Sequence, residues 1–344
     1  MIIGQIFGGH YRVINLLGKG GFGETYLAED IHLPDHPQRV LKLLNPDSDD
    51  PFVLQTARRL FETESKVLYK LGKNDFIPEL FSHFEENGDF YLVQELIVGH
   101  DLTQEITPGK RLSEHEVVNI LHDILEVLSF VHQQGVIHRD IKPSNLMRRQ
   151  SDGKIMLIDF GAVKQIGTQL QNTQASTNPT IPIGTDGYMP SEQMNGHPKL
   201  ASDIYAVGMV GIQALTGVSP EQLPKDSNTL EVIWRNGVSI NSNLATVLDK
   251  MIRYRYQDRY PSAEAALQDI KGIISGSPSS TVVSSAPKFN FLNFLSKLPL
   301  AAKLGMSVIS LGLVTITIMA VVANRFSTSP LPTASPETTE RWKW

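Results

Sequence analysis

I-H-R-D-I-K-P-S-N-L-M-R-R-Q-S-D-G-K-I-M-L-I-D-F-G, residues 137–161, is the stretch that decides the fold. Asp140, Lys142 and Asn145 follow a first short apolar run, and Asp159 follows a second. Mg²⁺ prefers hard oxygen ligands, usually one or two carboxylates together with the phosphate groups of a substrate. The pattern therefore predicts a site for magnesium–phosphate chemistry.

The two polar groups resemble signature motifs of the protein kinases. Residues 138–145 match H-R-D-x-x-x-x-N, and residues 159–161 match D-F-G. Either motif alone is weak evidence, whereas the pair in this order and spacing is specific. The alternative is two buried strands that end in ordinary solvated turns. By the same resemblance, Arg139 beside Asp140 implies a kinase whose activation segment can be held by an arginine.

Composition limits the other classes of function. A net charge of −5 gives no sign of the basic face typical of nucleic-acid binders, so no nucleic-acid partner is expected. The sequence has no cysteine, which excludes disulfides, thiol catalysis and cysteine-based zinc sites. Residues 1–12 lack the basic flank and apolar core of a signal peptide. The 344 residues are enough for a two-lobed domain with additional segments.

A glycine-rich loop, G-K-G-G-F-G, separates two strand-like runs near the start of the chain. Gly18, Gly20 and Gly23 let backbone amides approach phosphates without an intervening Cβ. A Rossmann loop of similar sequence should open a helix, but the residues after Gly23 are β-branched and aromatic and favour a strand. The loop is therefore similar to the nucleotide lid of kinases. Thr25 stands where kinases usually have valine against the adenine.

The run V-L-K at residues 40–42 resembles the end of the kinase V-A-I-K strand, which makes Lys42 the expected phosphate-binding lysine. An aspartate followed by proline predicts a helix that starts after Asp50 and ends near Leu71. The resemblance selects Glu64 on this helix as the partner of Lys42. Glu62 is the alternative partner.

The apolar strand expected at residues 90–97 resembles the hinge between kinase lobes. Gln94 would occupy the gatekeeper position, Glu95 and Leu96 would contact the adenine edge, and Asp101 would bond the ribose. The resemblance thus implies a set of nucleotide-contacting residues. They are Leu17, Gly18, Gly20, Gly23, Thr25, Val40, Lys42, Glu95, Leu96, Asp101, Asn145, Met147 and Asp159.

Later motifs follow in the order found in the family. Ser113 and Glu116 form a capping-box pattern before a helix with apolar residues at 117, 121, 124, 128 and 131. Residues 190–192, P-S-E, stand where kinases have A-P-E, and Arg259 is the expected partner of Glu192. Asp203 would hold the backbone of the catalytic loop, and Thr185 would lie near the catalytic aspartate and lysine.

The resemblance implies an α+β, two-lobed protein kinase fold over residues 10–274. A small β-rich N-lobe spans about 10–95, and a larger α-helical C-lobe spans about 98–274. Within the family the chain resembles bacterial eukaryotic-type (Hanks-type) serine/threonine kinases. The expected catalytic residues are Asp140, Lys142, Lys42, Glu64 and Thr185.

The last part of the chain predicts a membrane anchor. Residues 275–287 read as a flexible linker and 288–303 as an interfacial juxtamembrane segment. Residues 304–323 carry no charge and are long enough to span a bilayer as a single C-terminal transmembrane helix; a buried globular helix is the alternative. Basic residues on the two sides balance, so the need for ATP places the kinase domain in the cytosol at the cytoplasmic membrane. The tail, 324–344, is expected outside and disordered.

The resemblance implies transfer of the ATP γ-phosphoryl group to serine or threonine side chains of protein substrates. Asp140 would accept the hydroxyl proton, and Asp159 and Asn145 would bind Mg²⁺, with Mn²⁺ as an alternative ion. The rival hypotheses are a pseudokinase-like nucleotide-binding scaffold and a small-molecule phosphotransferase.

The sequence also bears on regulation and on assembly. By the same resemblance, autophosphorylation is expected between residues 161 and 184, at Thr173, Ser176, Thr177 or Thr180, with Arg139 receiving the phosphate. The alternative is a polar loop whose threonines are solvated and against which Arg139 is merely packed. The sequence leaves dimerisation open, along with the protein substrates and the activating signal.

Overall fold

A six-stranded antiparallel sheet forms most of the N-lobe. The computed structural model describes residues 2–20, 23–44, 50–160 and 187–276. The strands are β1 (Ile6–Phe7), β2 (Tyr11–Gly20), β3 (Gly23–Asp30), β4 (Gln38–Leu44), β5 (Leu80–Glu86) and β6 (Asp89–Glu95). Their order in the sheet is β1-β2-β3-β4-β6-β5. The two strands predicted on either side of the glycine loop are confirmed.

Helix α1 (Pro51–Leu71) packs against this sheet. The Asp50 carboxylate caps its first turn by accepting a bond of 2.8 Å from the Phe52 N–H, as the aspartate–proline pair predicts. Successive side chains of β6 point to opposite faces of the sheet. Leu92 therefore joins the core shared with α1, while Val93 packs in a separate cluster on the other face.

The C-lobe consists mainly of helices with a small sheet. Its helices are α2 (Glu114–Gln133), α3 (Ser191–Met194), α4 (Leu200–Thr216), α5 (Ser242–Met251) and α6 (Ala263–Ile274). A three-stranded antiparallel sheet comprises β7 (Gly99–Asp101), β8 (Leu146–Arg149) and β9 (Ile155–Leu157). The predicted capping box on α2 is present, and its apolar positions 117, 121, 124, 128 and 131 are all buried.

Helix α4 forms the centre of the C-lobe, since every residue from Ala201 to Thr216 is buried. A helix that is buried on all sides needs close neighbours on all sides. Gly208 allows one of these approaches, because a Cβ there would lie 2.7 Å from Cγ2 of Ile252. The α4 helix therefore provides a rigid support beneath the loops that follow α2.

The two-lobed kinase architecture expected from the sequence is confirmed for the described residues, which lie in one compact unit, Met1–Ser280. Among them, no helix combines the length and the apolar character needed to cross a membrane. The predicted span at 304–323 lies outside the described residues.

Candidate active site

Adjacent strands of the N-lobe bring several predicted nucleotide-contacting residues together. Antiparallel pairing sets Gly18 opposite Thr25, and Thr25 opposite Lys42. One strand further, Val40 pairs with Gln94. Because directly paired residues on neighbouring strands are close in space, these candidates form one continuous patch beside the glycine loop.

The glycine positions of the loop differ in their surroundings. Gly23 has φ 156°, and a Cβ there would lie 1.9 Å from the carbonyl oxygen of Leu43, so the passing strand itself requires glycine. A Cβ on Gly18 would meet none of the described atoms within 4 Å. The space over Gly18 thus fits the close approach of a phosphate group that the sequence predicts.

Lys42 connects the two lobes through an ion pair. Its Nζ contacts Oδ1 of Asp159, which follows β9 in the C-lobe. Asp159 has φ 60°, a left-handed conformation that is uncommon for residues other than glycine. The backbone at this position is thus held in an unusual shape, with the carboxylate half-exposed at 49%. The ammonium group of Lys42 beside the carboxylate of Asp159, on a left-handed backbone, fits a site that binds a phosphate and a cation.

Glu64 lies close enough to Lys42 to be affected by its charge, but no ion pair joins them in the described part of the chain. Glu64 is 5% exposed, and its Oε2 has no hydrogen-bond partner, whereas Glu62 is exposed. Burial raises the pKa of Glu64 to about 8, with Lys42 acting in the opposite direction. The structure therefore places Glu64 near Lys42 without the predicted ion pair, and burial favours the protonated form of this carboxyl.

The expected hinge lies where β6 ends at Glu95, two residues before the predicted end of the strand. Gln94 is 5% exposed at the end of this strand. Beyond it, Asp101 pairs with Met147 across β7 and β8, which brings two predicted nucleotide-contacting residues side by side. Asp101 also accepts a 2.9 Å bond from the Thr103 N–H and so caps the following turn. This capping role was not predicted.

Asp140 is the centre of a compact polar cluster after α2. It is 7% exposed and accepts a 2.6 Å bond at Oδ2 from Nδ2 of Asn145. The same nitrogen donates to the Asp140 carbonyl at 2.8 Å, and Lys142 Nζ lies 3.3 Å from Oδ2. Because Asn145 uses its nitrogen for these bonds, its Oδ1 is the atom that could bind a cation. The structure brings the three predicted residues of the catalytic loop together.

His138 ties this cluster to the segment that carries Asp159. Its ring is fully buried, and burial lowers its pKa, which favours the neutral form. Nε2 lies 3.1 Å from the Ile158 carbonyl oxygen, and Nδ1 accepts from the Asp140 N–H at 3.3 Å. Both contacts are satisfied by the tautomer with hydrogen on Nε2. A further bond of 3.0 Å, from the Ile158 N–H to the Asn145 carbonyl, joins the same two segments.

Asp203 on α4 holds the backbone of the loop that follows α2, as predicted. It is 1% exposed and accepts bonds of 2.8 Å from the N–H groups of His138 and Arg139. Nε2 of His132 lies 2.9 Å from the same carboxylate. Sequence reasoning missed His132 and the role of His138; a histidine directly after the last apolar position of the buried face of α2 was the available signal.

The predicted Glu192–Arg259 pair is also confirmed. Arg259 Nη1 lies 2.6 Å from Glu192 Oε1, and the arginine side chain is fully buried. Ser202 donates to the same carboxylate oxygen at 2.7 Å. Arg259 further donates to the carbonyl groups of Arg253, Ala201 and Tyr254. This network fixes α3 against α4.

Thr185 and the predicted phosphorylation positions between 161 and 184 lie outside the described residues. Arg139, their expected partner, is partly buried, and burial lowers the pKa of its guanidinium. Among the residues that the structure describes, no ion pair involves this guanidinium.

Comparison with known proteins gives consistent matches. A family model described as the protein kinase domain matches residues 11–270. Serine/threonine-protein kinase B of Synechocystis sp. is 45% identical over 266 residues, 76% of this chain and 46% of that relative. Serine/threonine-protein kinase PknA of Nostoc sp. is 41% identical over 277 residues, 80% of this chain and 49% of that relative.

The chain thus spans about half the length of the curated relatives that it matches. Among solved structures, the PknI kinase domain of Mycobacterium tuberculosis aligns with a TM-score of 0.59 at 25% identity. That alignment covers 79% of this chain and 98% of the mycobacterial one.

Proposed function

This chain belongs to the protein kinase family, among the bacterial Hanks-type members, and we propose that it transfers the γ-phosphoryl group of ATP to serine and threonine hydroxyls of proteins. The observation that carries the proposal is the cluster of buried Asp140 and Asn145 with the partly buried Lys142, joined through Ile158 to the segment of Asp159. The relatives' names support a serine or threonine acceptor.

Each residue of the cluster has a chemical task. Asp140 would orient the acceptor hydroxyl and take its proton. Lys142, 3.3 Å from that carboxylate, would stabilise negative charge on the phosphoryl group as it moves. Lys42 would contact the phosphates from the N-lobe, where it now pairs with Asp159. The reaction then depends on positioning and electrostatics, as is general for phosphoryl transfer.

The residues present fit a divalent cation. Asp159 offers a half-exposed carboxylate, and Asn145 offers Oδ1, so both supply the hard oxygen atoms that Mg²⁺ or Mn²⁺ prefers. The bound ion would neutralise charge on the phosphates. His138 contributes by holding Ile158, and with it the neighbouring Asp159, at a fixed distance from Asp140.

The test is incubation of the purified chain with Mg²⁺, γ-labelled ATP and a mixture of proteins, followed by identification of the labelled amino acids. Label on serine and threonine that depends on Mg²⁺ is the expected result. Nucleotide binding without any transfer would indicate a pseudokinase scaffold. Transfer only to small metabolites would indicate a small-molecule phosphotransferase.

Autophosphorylation is the second part of the proposal. Arg139 lies directly before Asp140, is partly buried, and has no ion pair among the described residues. A phosphate on Thr173, Ser176, Thr177 or Thr180 would give this guanidinium an anionic partner. Mass spectrometry after incubation with Mg·ATP should find phosphate at one of these positions. Phosphatase treatment should then lower activity; unchanged activity would contradict the regulatory role.

The third part is a membrane anchor at residues 304–323, which would leave the kinase domain in the cytosol. The uncharged sequence of this run supports it. The full chain should remain in the membrane fraction after a carbonate wash. Replacing Val314 and Ile316 by arginine should release it, because each arginine costs about 2.5 to 3.5 kcal/mol at the centre of a span. Arginine at Thr333 and Ser335 is the control that should leave the chain in the membrane.

A further inference from the structure

The residue directly before the proposed catalytic aspartate has an unfavourable backbone shape. Arg139 has φ 70°, in the left-handed region that bulky residues other than glycine rarely adopt. Such a conformation persists only when the surrounding contacts hold it in place. The direction of the Arg139–Asp140 peptide, and hence of the Asp140 side chain, depends on those contacts.

Two side chains hold the backbone of Arg139, one on each polar group. Asp203 accepts a 2.8 Å bond from its N–H. Gln193 donates from Nε2 to its carbonyl oxygen at 2.6 Å. Because a carbonyl oxygen can only accept, the amide of Gln193 must present its nitrogen here. The left-handed residue is therefore clamped between α4 and α3.

Gln193 is well anchored for this task. It follows Glu192, which is fixed by the buried Arg259 and by Ser202. These contacts involve the side chain of the neighbouring residue, so α3 stays attached to α4 whatever side chain occupies position 193. A substitution of Gln193 can thus remove the bond to Arg139 without removing the anchor of α3.

We propose that Gln193 is a positioning residue that sets the orientation of Asp140 through its hydrogen bond to the Arg139 carbonyl. The catalytic part of this inference rests on the proposed phosphoryl-transfer function; the structural part, that Gln193 holds the 139–140 peptide, does not. Through this bond, α3 is connected directly to the loop of the proposed proton acceptor.

Two substitutions separate the hydrogen bond from packing. Gln193→Met keeps a similar volume and removes the donor, whereas Gln193→Glu places an anionic acceptor against the carbonyl oxygen. Gln222→Glu, at an exposed position of the same lobe, is the matched control for the change in charge. Each full-length variant is measured for kcat, for KM of ATP, and for hydrogen exchange in a peptide covering residues 136–142.

For Gln193→Met we expect kcat about tenfold lower, the value typical of a lost hydrogen bond that leaves a partner unsatisfied, with KM for ATP unchanged. Gln193→Glu should reduce kcat further. Exchange at residues 136–142 should accelerate about tenfold in both variants, as the free energy of local opening falls. Gln222→Glu should match the wild type in all three measurements.

Turnover and hydrogen exchange at residues 136–142 together separate a failure of the proposed function from a failure of the role of Gln193. If the wild type transfers no phosphate, the proposed function fails, and exchange at 136–142 still decides whether Gln193 holds the peptide. Exchange equal to wild type in both Gln193 variants overturns the inference. So does a loss that appears only in KM for ATP while kcat stays constant.

Discussion

Lys42 on β4 of the N-lobe pairs with Asp159 of the C-lobe, although the two residues are 117 positions apart in the chain. Glu64, the partner that the sequence predicts for Lys42, is instead buried with an oxygen that has no hydrogen bond. The charge state of Glu64 therefore determines whether it can compete with Asp159 for Lys42.

The free energy of unfolding should fall as the pH rises from about 4.5 to about 8, because the pKa of Glu64 is raised by burial over this range. The folded chain keeps the Glu64 proton in this window, while the unfolded chain releases it, so rising pH favours unfolding. The contribution is up to about 1.4 kcal/mol per pH unit. Glu64→Gln has no proton to release and should lack this part of the slope.

Urea unfolding at several pH values measures the free energy of unfolding of the wild type and of Glu64→Gln. Glu62→Gln is the matched control, since Glu62 lies on the same helix and is exposed. Its stability should follow the wild-type slope. Parallel curves for the wild type and Glu64→Gln would contradict the raised pKa.

Removal of the Asp203 carboxylate should destabilise the C-lobe and reduce turnover. Asp203→Ala leaves the buried N–H groups of His138 and Arg139 without their acceptor. Unsatisfied buried groups of this kind cost about 1 to 3 kcal/mol each. Asp226→Ala, which also removes a carboxylate that accepts bonds from backbone N–H groups, is the control in a less buried loop. Denaturation curves in which both variants lose the same stability would show that burial is not the cause.

The Glu192–Arg259 pair should contribute far more to the free energy of unfolding than an exposed pair of the same type. Glu192→Gln leaves the fully buried Arg259 without its counter-charge, which typically costs about 3 to 5 kcal/mol. Glu85→Gln breaks an exposed pair with Arg58 and should cost less than about 1 kcal/mol. Chemical denaturation of both variants measures the difference. Similar small losses would mean that Arg259 is held by its carbonyl partners alone.

Local signals in the sequence predicted the elements that position the site. The aspartate–proline start of α1 and the capping box of α2 both occur as expected, because each depends on residues within one helical turn. The grouping of Asp140 with Asn145 was predicted for the same reason, since the two residues lie in one short loop, but the hydrogen bond between them was not. The predicted roles of the nucleotide-contacting residues stay predictions.

Other features could not be read from the sequence because they depend on tertiary contacts. Lys42 pairs with Asp159 and not with the predicted Glu64. The burial of Glu64 accompanies this difference, and no local pattern in the sequence reveals that burial. The bond from Gln193 to Arg139 joins residues 54 positions apart and was not foreseen. The histidine contacts that support the catalytic loop likewise depend on how α2 and α4 pack. Sequence periodicity identifies a buried face but does not say which polar groups meet there.

The most direct test of the account compares Asp140→Asn with Asp159→Ala in turnover and in affinity for Mg·ATP. Asp140→Asn removes a proton acceptor and should lower kcat by about 10² to 10⁴ while affinity stays close to wild type. Asp159→Ala should instead lose nucleotide binding that depends on Mg²⁺. Normal turnover in Asp140→Asn would contradict the assignment of Asp140 as the proton acceptor.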